Sequence, residues 1–298
     1  MKALGGLGAA LAMPGVAASA AEPLLTRPIP RTGEALPVVG LGTAINFDVV
    51  DDPPKHAALA AVLRALVEGG GKLIDTAASY GNAENVIGAL VAEMGLRSRV
   101  FVATKIAARD RALGPDALDR ALRRLRTDRI DLMMLHNVSR ADETLTAFRQ
   151  WQSAGTVRYL GISTSFGRDF DAVEAVMRHE KPDFLEVNYS LGDRAAEQRL
   201  LPLAAELGIA VLTDLPFGRN RLFRAVHGKE VPQWAGEFGA ASWGQFFLKY
   251  LLGHPAVTAV IPGTGKPEHM VDNLGAGRGP LPDSRQRLRM AQFFDALG

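Results

Sequence analysis

The sequence predicts an α/β protein built as a single (β/α)8 barrel. Two observations carry the prediction. Eight short apolar, strand-like runs alternate with eight segments of helical periodicity. No glycine-rich turn of the kind a doubly wound dinucleotide-binding sheet requires follows an early strand, and "GLGTAINF" after the first run is a poor match for one.

The strand-like runs are "LPVVGLGT", "KLIDTA", "VFVATKI", "IDLMMLHN", "VRYLGIST", "DFLEVNYS", "IAVLTDLP" and "VTAVIPGT". Helical spacing fills residues 55–69, 83–94, 115–126, 143–154, 170–180, 194–207, 242–252 and 267–274 between and after them. Gly155, Gly208 and Gly253 follow three of these helices, where a chain leaving a helix favours glycine. A last helical stretch over 284–297 is expected to cap one end of the barrel. Residues 216–239 form the longest irregular stretch, and a loop of that length in a compact domain is usually functional or mobile.

The 298 residues are 47% hydrophobic and 22% charged, the balance of a chain with a full core. The net charge of +2 is spread along the chain, so no nucleic-acid surface is expected. Cysteine is absent, which excludes disulfides, thiolate metal sites and a cysteine nucleophile. The first 20 residues carry one early cation, a small-residue apolar stretch and Ala18-Ser19-Ala20, and read as a signal peptide cut after about Ala20. A simple Ala/Gly tail is the alternative. The stretch is too short and glycine-rich to span a membrane. Residues 21–35 are set apart as an N-terminal extension, and 36–298 as the barrel.

Active-site groups of such barrels gather at the C-terminal ends of the strands. Asp75 ends the second run, with Tyr80 in the loop beyond it. Lys105 lies near the end of the third and His136 at the end of the fourth. Singly, each has a bland reading as a turn cap, a rim residue, a snorkelling lysine or a satisfied core histidine. Together they converge on one mouth. A lysine ammonium beside a phenol favours the phenolate. Asp75 would hold Lys105 charged, and His136 would donate to a carbonyl oxygen. That set suits protonation of an alkoxide formed from a carbonyl. It lacks a base-activated nucleophile and convincing metal spacing. No side chain can give hydride, so a reductase of this kind needs a cofactor.

These residues resemble the aldo-keto reductases. "LIDTAASYGNAENVIG" is similar to the family's D-x-x-x-x-Y-G-x-x-E segment, "ALRRLRTDRIDLMMLH" to its second signature, and "VIPGTGKPEHMVDNLGA" to its cofactor signature. The resemblance spans about 36 to 274. It implies a barrel that binds NADP(H), with NAD(H) possible, and transfers hydride to a small aldehyde or ketone. Tyr80 would be the acid, Lys105 and Asp75 its tuning pair and His136 the carbonyl-orienting donor. Gly42, Thr43, Ser163, Thr164, Glu186, Phe217, Gly218, Arg219, Arg221, Thr264, Lys266, His269 and Asn273 would contact the cofactor. Phe47, Asn137 and Trp234 would wall the substrate pocket, although Trp234 equally suits an anchor for its own loop.

The departures are informative. Thr164 replaces the usual Asn, and Glu186 the usual Gln. Asp214 stands where an aromatic often stacks on the nicotinamide. Gly263 and His269 stand where many members place Lys and Arg on the 2′-phosphate; Lys266, Arg219 and Arg221 are the substitutes available. Arg219, Arg221 and Arg224 either reach cofactor phosphates or solvate a basic loop. "KALGGLGAALA" resembles the apolar stretch beyond the arginine pair of a Tat leader, though no pair is present, and implies a periplasmic or exported protein; a cytoplasmic one is the alternative. The competing class is a non-catalytic cofactor-binding barrel acting as a redox sensor or partner subunit. A monomer or weak oligomer is expected.

Overall fold

A computed structural model describes residues 22–107, 115–140 and 142–297. The leader expected over 1–20 lies outside them. Two antiparallel strands come first, β1 (Thr26–Pro28) and β2 (Ala35–Pro37). Then come β3 (Leu41–Gly42), α1 (Pro53–Glu68), β4 (Leu73–Asp75), α2 (Ala83–Glu93), β5 (Phe101–Ala107), α3 (Pro115–Arg124), β6 (Ile130–His136) and α4 (Thr146–Ser153). The chain continues through β7 (Val157–Thr164), α5 (Phe170–Glu180), β8 (Phe184–Asn188), α6 (Leu200–Leu207), β9 (Ala210–Asp214), α7 (Arg221–Ala225), α8 (Trp243–Leu252), β10 (Val257–Val260), α9 (Pro267–Gly275) and α10 (Ser284–Asp295).

Among the described residues, β3 to β10 form one parallel eight-stranded sheet in sequence order. Parallel bridges from Val39 to Val260 and from Gly42 to Gly263 close it. Gly40 N–H donates to Val260 O at 2.8 Å and Val260 N–H to Val38 O at 2.9 Å across the seam. A Cβ on Gly42 would stand 2.7 Å from Ile261 O, so closure itself requires glycine there.

The period-two alternation of each strand sorts its side chains. Leu73, Phe101, Ala103, Leu132, Met134, Tyr159, Phe184, Ala210, Leu212 and Ala259 fill the barrel interior as one cluster. The outward residues, among them Ile74, Val102, Met133, Leu160, Leu185 and Val211, pack against the helices in a second, larger cluster. Continuing the inward parity places Asp75, Lys105, His136, Ser163, Glu186 and Asp214 around the C-terminal mouth.

The segment set apart as an extension is part of the barrel's floor. Ile29 and Leu36 join the inner cluster. Arg27 donates to the carbonyls of Leu252 at 2.6 Å and His254 at 3.0 Å, and also to Val257 O. Arg31 pairs with Asp183 at 2.5 Å, and Tyr159 Oη donates to Glu34 at 2.7 Å. The long stretch after β9 is more regular than its composition suggests. It holds α7 and a 3-10 turn, Gln233–Phe238. α10 opens with a reciprocal cap in which Asp283 and Gln286 each accept from the other's backbone.

Candidate active site

β4 delivers Asp75 to the mouth, and the chain then turns back through Ala77–Asn82. Gly81 has φ +58°, and the Asp48 carboxylate packs where its Cβ would be. Asp48 also accepts from Asn82 N–H at 2.9 Å, so it fixes the loop that carries Tyr80. Glu84, in the first turn of α2, is buried. It accepts from Thr104 Oγ1 at 2.7 Å and lies 3.3 Å from Arg124. The helix after the Tyr80 loop is thereby tied to the residue next to Lys105.

Lys105 is fully buried. Its Nζ donates to both Asp75 carboxylate oxygens at 2.6 Å and to Thr76 O at 3.1 Å. Glu186 Oε2 stands 3.1 Å from the same nitrogen, so two carboxylates flank one ammonium. Burial pulls on the lysine's proton, but Asp75 and Glu186 win and its pKa is raised well above the ordinary value. Burial, opposed by Lys105, also raises Asp75. It raises Glu186 well above the carboxylate range, with Asp75 adding repulsion.

Tyr80 lies with its ring centroid 5.3 Å from Lys105 Nζ and 5.8 Å from the His136 ring, edge to face at 82°. Ser79 Oγ is 3.3 Å from His136 Nδ1. Sequence reasoning expects Lys105 to bring Tyr80 down. The lysine does act in that direction, but burial outweighs it, and Asp75, Glu186 and Asp214 push the same way as burial. The phenol therefore keeps its proton more firmly than a free tyrosine. This corrects the simple tuning-pair picture: the lysine tempers a raised proton affinity rather than producing a low one.

β7 and β9 complete the ring. Ser163 is buried, and its Oγ accepts from Asn137 N–H at 3.1 Å; Asn137 Oδ1 accepts from Ser165 N–H at 3.2 Å. Asn137 holds φ +54° to make these links. Thr164 Oγ1 caps its own turn by accepting from Phe166 N–H at 3.2 Å. Ser165 Oγ donates to Asp214 Oδ2 at 2.6 Å, while burial raises the Asp214 carboxyl to about 6. Thr43 is buried at the end of β3, and its N–H donates to Asp75 O at 3.0 Å.

The remaining expected cofactor residues fall into two nearby loops. After β9, Phe217 packs on Phe223 and Phe247, Gly218 and Arg219 take left-handed backbone, and Arg221 Nε donates to Gly218 O at 3.1 Å. After β10, Thr264 Oγ1 accepts from Lys266 N–H at 3.1 Å. Lys266 is the N-cap of α9, which carries exposed His269 and buried Asn273.

Of the pocket-wall candidates, Phe47 is buried in the core, and Trp234 takes the loop-anchor alternative. Phe47 is fully buried as a member of the larger, outer apolar cluster. Trp234 packs on Phe238, Phe246 and Phe293, with Arg289 over its ring, so it anchors its loop to α8 and α10. Sequence reasoning missed Ser79, Ser165, Asp48 and the bridging role of Glu84. Ser79 and Ser165 each sit within two residues of a named candidate, the one signal that pointed to them.

Among the described residues no cluster of His, Asp or Glu could hold a metal ion. A model of the Aldo/keto reductase family matches residues 38–287. A methylglyoxal reductase of Escherichia coli (strain K12) is 31% identical over 239 residues, 76% of this chain and 80% of that protein. An aldo-keto reductase of Mycobacterium avium (strain 104) is 29% identical, covering 80% of each. A crystal structure of an aldo/keto reductase from Klebsiella pneumoniae, in complex with NADP and acetate, superposes with a TM-score of 0.73 at 26% identity, covering 88% of this chain and 93% of that one. The match over most of the barrel, with Asp75, Tyr80, Lys105 and His136 at one mouth, makes this chain a member of the aldo/keto reductase family of oxidoreductases.

Proposed function

We propose that this protein reduces a small aldehyde or ketone to an alcohol with NADP(H), Tyr80 giving its proton to the carbonyl oxygen. The observation that carries the reading is the buried Lys105, held by Asp75 at 2.6 Å and standing 5.3 Å from the Tyr80 ring, with the His136 ring 5.8 Å from that ring, edge to face. The firmly held phenol proton suits an acid that must arrive protonated. Lys105 stabilises the phenolate left behind. His136 orients the carbonyl oxygen toward Tyr80.

The mouth also fits the cofactor. Buried Thr43 Oγ1 and Asp214 Oδ1 lack hydrogen-bond partners among the described residues, as expected of groups kept for a polar ligand. Ser163 and Glu186 would hold the nicotinamide amide. Glu186 can accept from its NH2 while ionised and can also donate while it carries a proton. Lys266, the N-terminus of α9, Arg219 and Arg221 would hold the phosphates. When bound, the cofactor supplies hydride to the carbonyl carbon. NADP(H) is preferred to NAD(H) on the cations available for a 2′-phosphate and on the NADP in the Klebsiella pneumoniae relative.

The test is a fluorescence titration with NADPH and NADH, followed by cofactor oxidation with an aldehyde panel that includes methylglyoxal. Tyr80→Phe should bind NADPH as wild type does and lose at least about a hundredfold in turnover. Unchanged turnover in Tyr80→Phe would remove the acid assignment. Binding without turnover on any carbonyl would favour the sensor reading instead.

A further inference from the structure

Lys105 balances only part of the charge at the mouth. Its ammonium is committed to Asp75 through two 2.6 Å bonds, with Glu186 at 3.1 Å. Asp214 forms no ion pair among the described residues. One of its oxygens accepts from Ser165 Oγ at 2.6 Å; the other is buried without a partner. Lys105 and Arg219 reach it only through space, while Asp75 and Glu186 repel it. A carboxylate with one oxygen buried and unpartnered is unfavourable unless a cation arrives.

Asp214 follows Ala210 and Leu212 in the inward parity of β9, so it faces the same mouth as Tyr80, and its charge is felt at the phenol. A hydride donor must bring its reacting carbon within about 3.5 Å of the carbonyl carbon, whose oxygen is held at Tyr80. The ring that gives hydride therefore works within the field of Asp214. That ring is neutral when reduced and carries one positive charge when oxidised.

We propose that Asp214 makes this site select the oxidation state of the cofactor, holding the oxidised, cationic nicotinamide more tightly than the reduced one. The inference rests on the reductase reading above. Its consequence is directional. Hydride leaves the ring more readily at this mouth, and the oxidised cofactor is the form slow to depart. Asp214 acts as a specificity-determining residue through charge, with Ser165 fixing its carboxylate.

The experiment measures dissociation constants of NADP+ and NADPH for the whole protein by calorimetry, in wild type, Asp214→Asn and Asp214→Glu. Wild type should prefer NADP+. Asp214→Asn should lower the ratio of the NADPH constant to the NADP+ constant about tenfold, and Asp214→Glu should keep most of it. The wild-type ratio should also fall on acidification through about 6, where Asp214 takes a proton, and stay flat in Asp214→Asn. An unchanged ratio in Asp214→Asn overturns the proposal, as does an equal shift of both constants, which marks a merely structural role. Failure of wild type to bind either nucleotide overturns the reductase reading itself, so the two failures are distinguishable. If Asp214→Asn does not fold, the pH dependence of the wild-type ratio decides: a ratio that does not fall on acidification overturns the proposal.

Discussion

Replacing Asp214 by Asn should make the protein more stable near neutrality, and the size of the effect can be worked from its surroundings. Burial raises the Asp214 carboxyl from 3.8 to about 6 in the folded protein. The folded state thus binds this proton more tightly than the unfolded chain does. A group raised in this way contributes stability in acid that is lost as pH rises from the unfolded value through about 6. The interval corresponds to about 3 kcal/mol, most of it crossed between about pH 4 and about pH 8. Asparagine cannot titrate, and it keeps an oxygen for Ser165. Urea unfolding of both proteins at the two pH values gives a difference of differences in which the other titrating groups largely cancel. The variant should gain about 2 to 3 kcal/mol over wild type between acid and mild alkali. A difference between the proteins that is the same at both pH values, or that moves against the variant as pH rises, would refute the reasoning. Taken with the cofactor measurement, the same substitution would raise stability and erase a preference, as expected of a site kept at the expense of the fold.

Lys105→Met removes the ammonium from between Asp75 and Glu186 and should lower stability by about 3 to 5 kcal/mol at neutral pH, read as a fall in unfolding free energy; adding Asp75→Asn should recover part of it. Gly88→Ala should destabilise by about 1 to 3 kcal/mol despite the better helix former, because its Cβ would stand 2.1 Å from Arg124 O on the neighbouring α3, and a thermal melt reads the loss. For localisation, fractionation of cells with mass spectrometry of the N-terminus should find the chain outside the cytosol and cut after about Ala20. A chain found only in the cytosol with its leader intact would end the export proposal.

Much of the fold was legible because periodicity reports it. The eight apolar runs hold the eight parallel strands, and the helix at Phe170–Glu180 has the limits its spacing predicts. The floor was not legible. β1 and β2 are three residues each, both contain proline, and their pairing is decided by what Ile29 and Leu36 seal. At the site, strand ends named Asp75, Lys105 and His136, and strand parity places Glu186 beside them. The proton affinity of Tyr80 was misjudged because the cation was counted while burial of the phenol, and the three carboxylates that push the same way, were not. Phe47 was misplaced because position after a strand does not say whether a loop folds in or out. Asp214 was visible as a departure, but that it forms no ion pair among the described residues is a property of the assembled mouth.

The floor hairpin has a consequence for how the chain is made. Arg27 is gripped by carbonyls 225 to 230 residues later, at Leu252, His254 and Val257. Arg27 must therefore wait for residues near the end of the chain before it finds these partners. Such long-range closure is slow compared with forming any single helix. Closure of the barrel floor therefore depends on residues near the end of the chain, and so does whatever requires the closed barrel, the binding of a nucleotide included. A fusion placed just before Glu22 would share the floor with Arg278, whose Nε donates to Glu22 O at 2.8 Å, and would leave the mouth facing the other way.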